Sequence, residues 1–192
     1  MRALAALLAL AAGLAGGVQA QGQPPAGPRL ILVGDSTMAP RSGYGNALCA
    51  RFQQVACLNL ARGGRSSKSY RAEGLWDSVL ALLNERGPGD TRQKTLVLIQ
   101  FGHNDQPGKP GRSTDLATEF GPNLARYVHD VRAAGAEAVR ALGQPAADML
   151  AEAPPRFDRT HLGPRGAALF SAQVAERLLK LRPELAAAQT LR

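Results

Sequence analysis

Residues 95–101 read Thr-Leu-Val-Leu-Ile-Gln-Phe, and the polar block Gly102-His103-Asn104-Asp105 follows them directly. A short apolar run with β-branched residues that stops at a glycine predicts a buried β-strand. Two shorter runs, Arg29–Val33 and Val55–Leu60, have the same character and also lead into polar blocks that contain glycine. Continuous apolar strands are typical of a parallel sheet that helices cover on both faces. The sequence therefore predicts an α/β fold built on about three parallel strands.

Apolar residues at helical spacing predict several helices in the rest of the chain. The predicted helices span Gly45–Gln53, Leu75–Leu83, Phe120–Ala134, Ala146–Ala151 and Gly166–Leu181, and Glu137–Leu142 is expected to extend or restart the third of them. The last helix offers five apolar side chains for burial, namely Leu169, Phe170, Val174, Leu178 and Leu181. Because no β-branched apolar run follows Phe101, we expect no strand after the third.

The first twenty residues have the pattern of an export signal. Arg2 precedes an uncharged run rich in leucine and alanine, and residues 18–20 match the small-x-small pattern of a signal peptidase site. A membrane anchor is the alternative, but the run is short for a bilayer span and is interrupted by glycines. We therefore expect a signal peptide at residues 1–20, a Pro/Gly linker at 21–28 and one domain at 29–192. The mature protein is then secreted or periplasmic, without stable membrane association.

The chain is strongly basic, with 23 Lys and Arg against 15 Asp and Glu and a formal net charge of +8. Such a surface favours acidic partners such as an anionic polysaccharide or a nucleic acid. The basic residues are dispersed, and we find no nucleic-acid-binding motif among them. The charge is therefore compatible with an acidic glycan, and we expect no nucleic acid partner.

The two cysteines leave two interpretations open. Cys49 and Cys57 lie eight positions apart, so an oxidising compartment would allow them to form a disulfide. The alternative is a pair of buried thiols on a helix and on the strand that follows it. Two cysteines and three scattered histidines are too few for a metal site, so we expect no metal.

Four short polar blocks together supply the groups that acyl transfer requires. They are Gly34-Asp35-Ser36-Thr37, Gly63-Gly64-Arg65-Ser66, Gly102-His103-Asn104-Asp105 and Asp158-Arg159-Thr160-His161. The blocks contain a hydroxyl, a backbone N–H beside glycine, a side-chain amide and an Asp/His pair. These are the groups needed to attack an acyl carbon and to stabilise the resulting oxyanion. Each block taken alone fits a helix cap or a turn equally well, so the ordered set is the informative signal.

The positions of the serine and of the Asp/His pair suggest how they would work. Ser36 closely follows the first predicted strand, and we expect it to open a turn that leads into a helix and exposes its hydroxyl among free backbone N–H groups. The spacing of Asp158 and His161 can place both side chains on one face of a single turn. The carboxylate can then accept a hydrogen bond from one imidazole nitrogen, while the other nitrogen takes the serine proton.

The ordered blocks resemble those of the SGNH, or GDSL-type, hydrolase superfamily, and most closely its rhamnogalacturonan acetylesterase branch. This resemblance implies a three-layer α/β/α, flavodoxin-like fold. It also implies that Ser36 is the nucleophile, His161 the general base and Asp158 the residue that orients the histidine. The oxyanion hole would consist of the N–H groups of Ser36 and Gly64 and the amide of Asn104. The implied reaction is two-step acetyl transfer from a sugar ester or a small ester to water, without a metal or cofactor.

The spacing of the blocks departs from the family pattern. Only residues 105–157 separate Asn104 from Asp158, and they are predicted to form helix and loop. Family members carry further strand–helix units there, so on the order of 50 residues are missing from this segment. Two alternatives to an acetylesterase therefore stay open, a non-catalytic or unstable remnant and a lipase or thioesterase of the same superfamily.

Several polar residues outside the implied catalytic set also require an interpretation. Arg41, Arg65 and Tyr70 are candidates for contact with a glycan, and each fits a structural role equally well. His103 is expected to be a structural residue of its turn, and His129 is expected to be a solvated residue on a helix.

Overall fold

The computed structural model describes residues 28–85, 95–140 and 161–188, and this part of the chain contains a parallel four-stranded sheet. The strands are β1 (Arg29–Gly34), β2 (Ala56–Asn59), β3 (Thr95–Gln100) and β4 (Glu137–Arg140), in the order β2-β1-β3-β4. This is the order of a flavodoxin-like sheet, in which the strand order reverses beside the first strand. The predicted α/β fold with a shortened parallel sheet is confirmed.

Helices lie on both faces of this sheet. They are α1 (Gly45–Cys49), α2 (Ser69–Ala72), α3 (Leu75–Asn84), α4 (Phe120–Ala133) and α5 (Pro164–Leu181), and a 3-10 helix follows at Pro183–Ala188. The predicted bounds of α3, α4 and α5 are confirmed to within two residues. The predicted helix at Ala146–Ala151 lies outside the described residues. None of the helices in the described ranges is long and apolar enough to span a bilayer.

The strands contribute to two separate cores because successive side chains of a strand point to opposite faces. Leu30 and Leu32 of β1 pack with α1 and α5 on one face, whereas Ile31 and Val33 pack with α3 and α4 on the other. The alternate residues of β3 divide between the two cores in the same way. This two-sided burial explains why both strands are apolar at nearly every position.

The prediction that no strand follows the third was wrong. Glu137–Arg140, predicted as a continuation of the preceding helix, is β4 and pairs with β3 from Leu96↔Glu137 to Ile99↔Arg140. Gly135, with a φ of 77°, ends α4 in the left-handed conformation that glycine adopts readily. The chain therefore turns into the sheet. Pairing with an adjacent strand outweighs the weak local preference of four residues that include only one β-branched side chain.

Two helix predictions also need correction. Helix α1 ends at Cys49 rather than at Gln53, because the chain turns there and buries Phe52 in the core. In α5, Leu169 and Leu181 are exposed, by 54% and 61%, although they were expected to be available for burial.

The other three predicted residues of α5 do face the core: Leu178 is buried, and Phe170 and Val174 are partly buried against it. Small residues complete this face, because Gly166, Ser171 and Ala175 are buried as well. Small side chains allow α5 to lie close to α1. Arg51 follows α1 and donates hydrogen bonds to Ser171 Oγ at 3.0 Å and to the carbonyl of Ala168 at 3.1 Å. These contacts fix the rotation of α5 about its axis.

Cys49 and Cys57 form a disulfide with a Cα–Cα distance of 5.5 Å, so the alternative of two free thiols is wrong. The bond joins the end of α1 to β2, which is an edge strand of the described sheet. It thereby fixes the position of the strand that leads to the block around Gly64.

A chain of buried hydrogen bonds holds the turn that follows β1. The backbone N–H and the hydroxyl of Thr37 donate to Asp35 Oδ1 at 2.9 and 2.8 Å. Gln100 Nε2 donates to Thr37 Oγ1 at 2.6 Å, and the Tyr44 hydroxyl donates to Gln100 Oε1 at 2.5 Å. Burial raises the pKa of the Asp35 carboxyl above its ordinary value of 3.8, although the two bonds from Thr37 oppose that shift. His103 also lowers this pKa, and Asp105 raises it.

We predict that removing the disulfide lowers stability. Changing both cysteines, in Cys49→Ala/Cys57→Ala, should reduce the free energy of unfolding by about 2–3 kcal/mol, because the unfolded chain regains the freedom that the closed loop removes. Urea unfolding monitored by circular dichroism measures this change. A reductant should destabilise the wild type and leave the double variant unaffected. Equal stability of the two proteins without reductant would contradict the prediction.

We also predict a pH-dependent effect of Asp35→Asn. Because the pKa of Asp35 is raised in the folded state, its contribution to stability is full below pH 3.8 and is lost as the pH rises through the folded pKa. Asparagine does not titrate, so the free energy of unfolding of the variant minus that of the wild type should increase with pH. Urea unfolding of both proteins between about pH 4 and pH 8 tests this. A difference that is constant or falls with pH would show that the carboxyl pKa is not raised.

Candidate active site

Ser36 lies in a tight turn directly after β1. The N–H groups of Met38 and Ala39 both donate to the carbonyl of Asp35, at 3.2 and 3.0 Å. Ser42 Oγ donates to the carbonyl of Ser36 at 2.8 Å and closes the turn from the other side. The sequence predicted a turn that leads into a helix with an exposed hydroxyl. Helix α1 begins only at Gly45, and Ser36 is 5% exposed.

The second block lies against the serine. The N–H of Arg62 donates to the carbonyl of Gly34 at 2.9 Å and holds the loop after β2 beside the turn after β1. A Cβ atom at Gly63 would lie 3.7 Å from Ser36 Cβ, so the two backbones approach closely. Gly64 has a φ of 78°, which an L side chain rarely adopts, and its carbonyl accepts a hydrogen bond from Arg112 Nη1 at 3.2 Å.

The third block contacts the second. Asn104 follows β3, is buried, and donates from Nδ2 to the carbonyl of Arg65 at 3.1 Å. The fully buried carboxylate of Asp105 accepts hydrogen bonds from the N–H of Ser67 at 3.1 Å and from its hydroxyl at 2.5 Å. These bonds fix the distance between the loops after β2 and β3.

Helix α4 also contacts the loop that follows β2, through hydrogen bonds to Ser67. The hydroxyl of Tyr127 donates to the carbonyl of Ser67 at 2.9 Å, and Asn123 Nδ2 donates to Ser67 Oγ at 3.2 Å. One turn further along the chain, Arg71 pairs with Asp130 of α4 at 2.7 Å, and its guanidinium lies 4.2 Å from the centre of the Tyr127 ring. The loop that contains Gly64 is therefore held on both sides.

The structure thus brings three of the four blocks together at the carboxyl ends of neighbouring strands. Within the described residues, no acceptor pairs with the N–H of Ser36 or with the N–H of Gly64. The amide of Asn104 carries two hydrogens, of which one is directed to Arg65. Backbone and amide donors at one end of a parallel sheet are suited to bind an oxygen that develops negative charge.

The fourth block is only partly described. Asp158 lies outside the described residues, so its predicted role stays a prediction. His161 is half-buried in the bend that precedes α5. The next residue, Leu162, is buried in the same core as Met38 and Ala39, which follow the serine turn. The segment that presents His161 and the turn that presents Ser36 are therefore packed on one common core.

The structure also distinguishes structural residues from exposed ones among the candidates for contact with a glycan. Arg65 pairs with Glu73 at 2.8 Å and donates to the carbonyl of Gly63, so it holds its own loop. Tyr70 is buried and donates to the carbonyl of Leu60, which is a structural role. Arg41 is exposed and lines a cleft. His129 is 82% exposed, as expected for a solvated helix residue.

Sequence reasoning missed three residues that shape this site. Gln100 and Arg112 were assigned no role, and Asp105 was quoted only as part of its block. A glutamine inside an otherwise apolar strand is a signal that could have identified Gln100, because a buried amide needs partners. No local pattern indicates the contacts of Arg112. Among the described residues, no group of three or more His, Cys, Asp or Glu side chains could hold a metal ion.

Comparison with known proteins finds rhamnogalacturonan acetylesterases among the sequence relatives of the chain. No family model matches the chain. A probable rhamnogalacturonan acetylesterase of Bacillus subtilis (strain 168) is 31% identical over 115 residues, which are 56% of this chain and 49% of the relative. A rhamnogalacturonan acetylesterase of the same organism is 34% identical over 119 residues, which are 58% of this chain and 47% of the relative. The chain thus spans about half the length of these curated relatives.

A crystal structure of another Bacillus subtilis protein shows the same fold, with a TM-score of 0.50 and 21% identity over 78% of this chain and 42% of that one. The sequence relatives match far more of this chain than any single block contains. The parallel sheet, the three convergent loops and these relatives agree with one another. The chain is thus similar in sequence to rhamnogalacturonan acetylesterases over somewhat more than half of its length, and it shares its fold with the Bacillus subtilis structure.

Proposed function

We propose that this chain is an exported serine esterase that removes acetyl groups from an acidic, plant-type polysaccharide through an acyl-enzyme. The observation that supports this most directly is the convergence of Ser36 with the loops that contain Gly64 and Asn104. Hydrolysis of an ester by a serine needs a nucleophile and oxyanion donors around one carbonyl group. The relatives named above, which are acetylesterases of rhamnogalacturonan, support the substrate class.

In the first step, Ser36 Oγ attacks the carbonyl carbon of the acetyl ester and its proton passes to the imidazole of His161. The carbonyl oxygen becomes an oxyanion, which accepts hydrogen bonds from the N–H groups of Ser36 and Gly64 and from Asn104 Nδ2. Collapse of this intermediate breaks the bond to the sugar oxygen. That oxygen takes the proton from His161, and the acetyl group remains on Ser36.

In the second step, water attacks the acetyl-serine and gives its proton to His161. The same three donors stabilise the second oxyanion. Its collapse releases acetic acid, ionised at neutral pH, and the proton held by His161 returns to Ser36 Oγ. Asp158 would hold the imidazole in the tautomer that both steps require.

Two features support export. The first twenty residues have the pattern of a cleaved signal, and the Cys49–Cys57 disulfide is the kind of bond that persists in an oxidising compartment. The net charge of +8 favours an anionic polymer over a neutral one.

We predict that Ser36→Ala abolishes turnover of 4-nitrophenyl acetate, with a loss of kcat/KM of at least about a thousandfold, because no other group at this position can accept the acetyl. Steady-state kinetics on the mature protein measure the loss. Thr118→Ala, which removes an exposed hydroxyl from the turn that precedes α4, is the matched control and should retain full activity.

Two results would contradict the proposed function. A well-folded wild type without turnover would favour a non-catalytic remnant. Faster cleavage of a long-chain ester than of the acetate would favour a lipase or thioesterase.

We predict that Asn104→Ala lowers kcat by about 10²–10³-fold with little change in KM, because the amide stabilises the transition state more than the bound ester. Asn84→Ala, at the exposed end of α3, is the matched control. Asn104 also bonds to the carbonyl of Arg65, so thermal melts must show that the variant is folded. A folded Asn104→Ala variant with wild-type kcat would exclude the amide from the oxyanion hole.

A further inference from the structure

A cleft of about 410 Å³ opens beside the serine turn. This volume lies within the range of about 300–1,000 Å³ that small-molecule sites occupy. It is lined by the turn from Ala39 to Ser42, by the loop from Asn59 to Gly63, and by Tyr70, Leu75 and Ser78.

Two residues of the cleft wall contact Ser36 itself. Ser42 Oγ donates to the carbonyl of Ser36 at 2.8 Å, and Gly63 lies so close that a Cβ atom added to it would be 3.7 Å from Ser36 Cβ. A ligand in this cleft is therefore within one sugar unit of the serine.

The cleft wall is positively charged. Arg41 and Arg62 both line it and are both exposed, and no Asp or Glu is among the lining residues. In the part of the chain that the structure describes, neither arginine forms an ion pair, whereas Arg65 and Arg71 do. Two guanidinium groups in a concave site without a carboxylate partner favour an anionic ligand.

We infer that this cleft binds a carboxylate-bearing sugar unit of the substrate, with Arg41 and Arg62 as the cations that hold its carboxylate. The inference rests on the proposed function and extends it to a specificity-determining subsite. A planar guanidinium can bind a carboxylate through two parallel hydrogen bonds. The apolar atoms of Ala39, Ala61 and Leu75 give the C–H face of a sugar ring a surface to pack on. The subsite selects the polymer and does not take part in the acetyl transfer.

The test measures binding separately from turnover. In the Ser36→Ala background, a galacturonate trimer should bind more tightly than a neutral glucose trimer in isothermal titration calorimetry. Adding Arg41→Gln or Arg62→Gln should each weaken binding of the galacturonate trimer by about threefold to tenfold. The double variant carries both Arg41→Gln and Arg62→Gln in the Ser36→Ala parent. Raising the salt from about 50 to about 500 mM should weaken binding of the galacturonate trimer to the parent more than to this double variant.

Three controls make the result specific. Arg126→Gln removes an exposed arginine of α4 and should leave binding of the galacturonate trimer unchanged. Arg41→Lys/Arg62→Lys keeps the charge and should retain part of the affinity that the glutamine variants lose. In the active enzyme, Arg41→Gln/Arg62→Gln should raise KM for acetylated rhamnogalacturonan and leave 4-nitrophenyl acetate turnover unchanged.

The outcomes separate this inference from the proposed function. Equal binding of the galacturonate trimer by the folded double variant and its parent, or equal binding of both trimers, would overturn the inference. If the wild type does not cleave 4-nitrophenyl acetate but arginine-dependent binding persists, the subsite stands and the esterase proposal fails.

Discussion

The parallel pairing of β1 between β2 and β3 is the constraint on which the rest of the structure depends. Because all three strands run in one direction, the loops that follow them leave the sheet at the same edge. These loops contain Ser36, Gly64 and Asn104, which are far apart in sequence. Binding at the carboxyl ends of the strands, where the strand order reverses, is the general behaviour of open α/β sheets.

Pairing of the strands alone does not fix loops to the precision that a site needs. Here, buried polar bonds provide it. Asp105 accepts two bonds from Ser67 and ties the second loop to the third, and Gln100 joins β3 to the turn after β1 through Thr37. Each of these groups would be costly to bury without its partner. A shift of one loop would therefore leave buried polar groups of its neighbour without hydrogen-bond partners. For this reason the positions of the three loops are coupled.

The edges of the described sheet are held in different ways. On the β2 side, the Cys49–Cys57 disulfide fixes the strand to α1, and Asn59 donates to the carbonyl of Met38 near the serine turn. On the other side, β4 is also four residues long and, among the described strands, pairs with β3 alone. The three donor-bearing loops follow β2, β1 and β3, which are the three strands counted from the disulfide-bonded edge of the sheet.

The sequence by itself determined the helices and strands that have strong local signals. It also determined the polar blocks, whose order along the chain is characteristic. The three strands, the bounds of α3, α4 and α5 and the polar blocks around Ser36, Gly64 and Asn104 each follow from a pattern that spans only a few residues. Periodicity and strand-ending glycines are local properties, so a linear chain displays them.

Tertiary structure alone decided the features that depend on distant neighbours. Glu137–Arg140 is a strand because β3 offers a partner, and α5 buries small residues because α1 approaches it closely. The sequence left open whether the two cysteines pair and which of Arg41, Arg65 and Tyr70 faces a cleft. These answers depend on distances between segments that the fold brings together, and a local pattern contains no information on such distances.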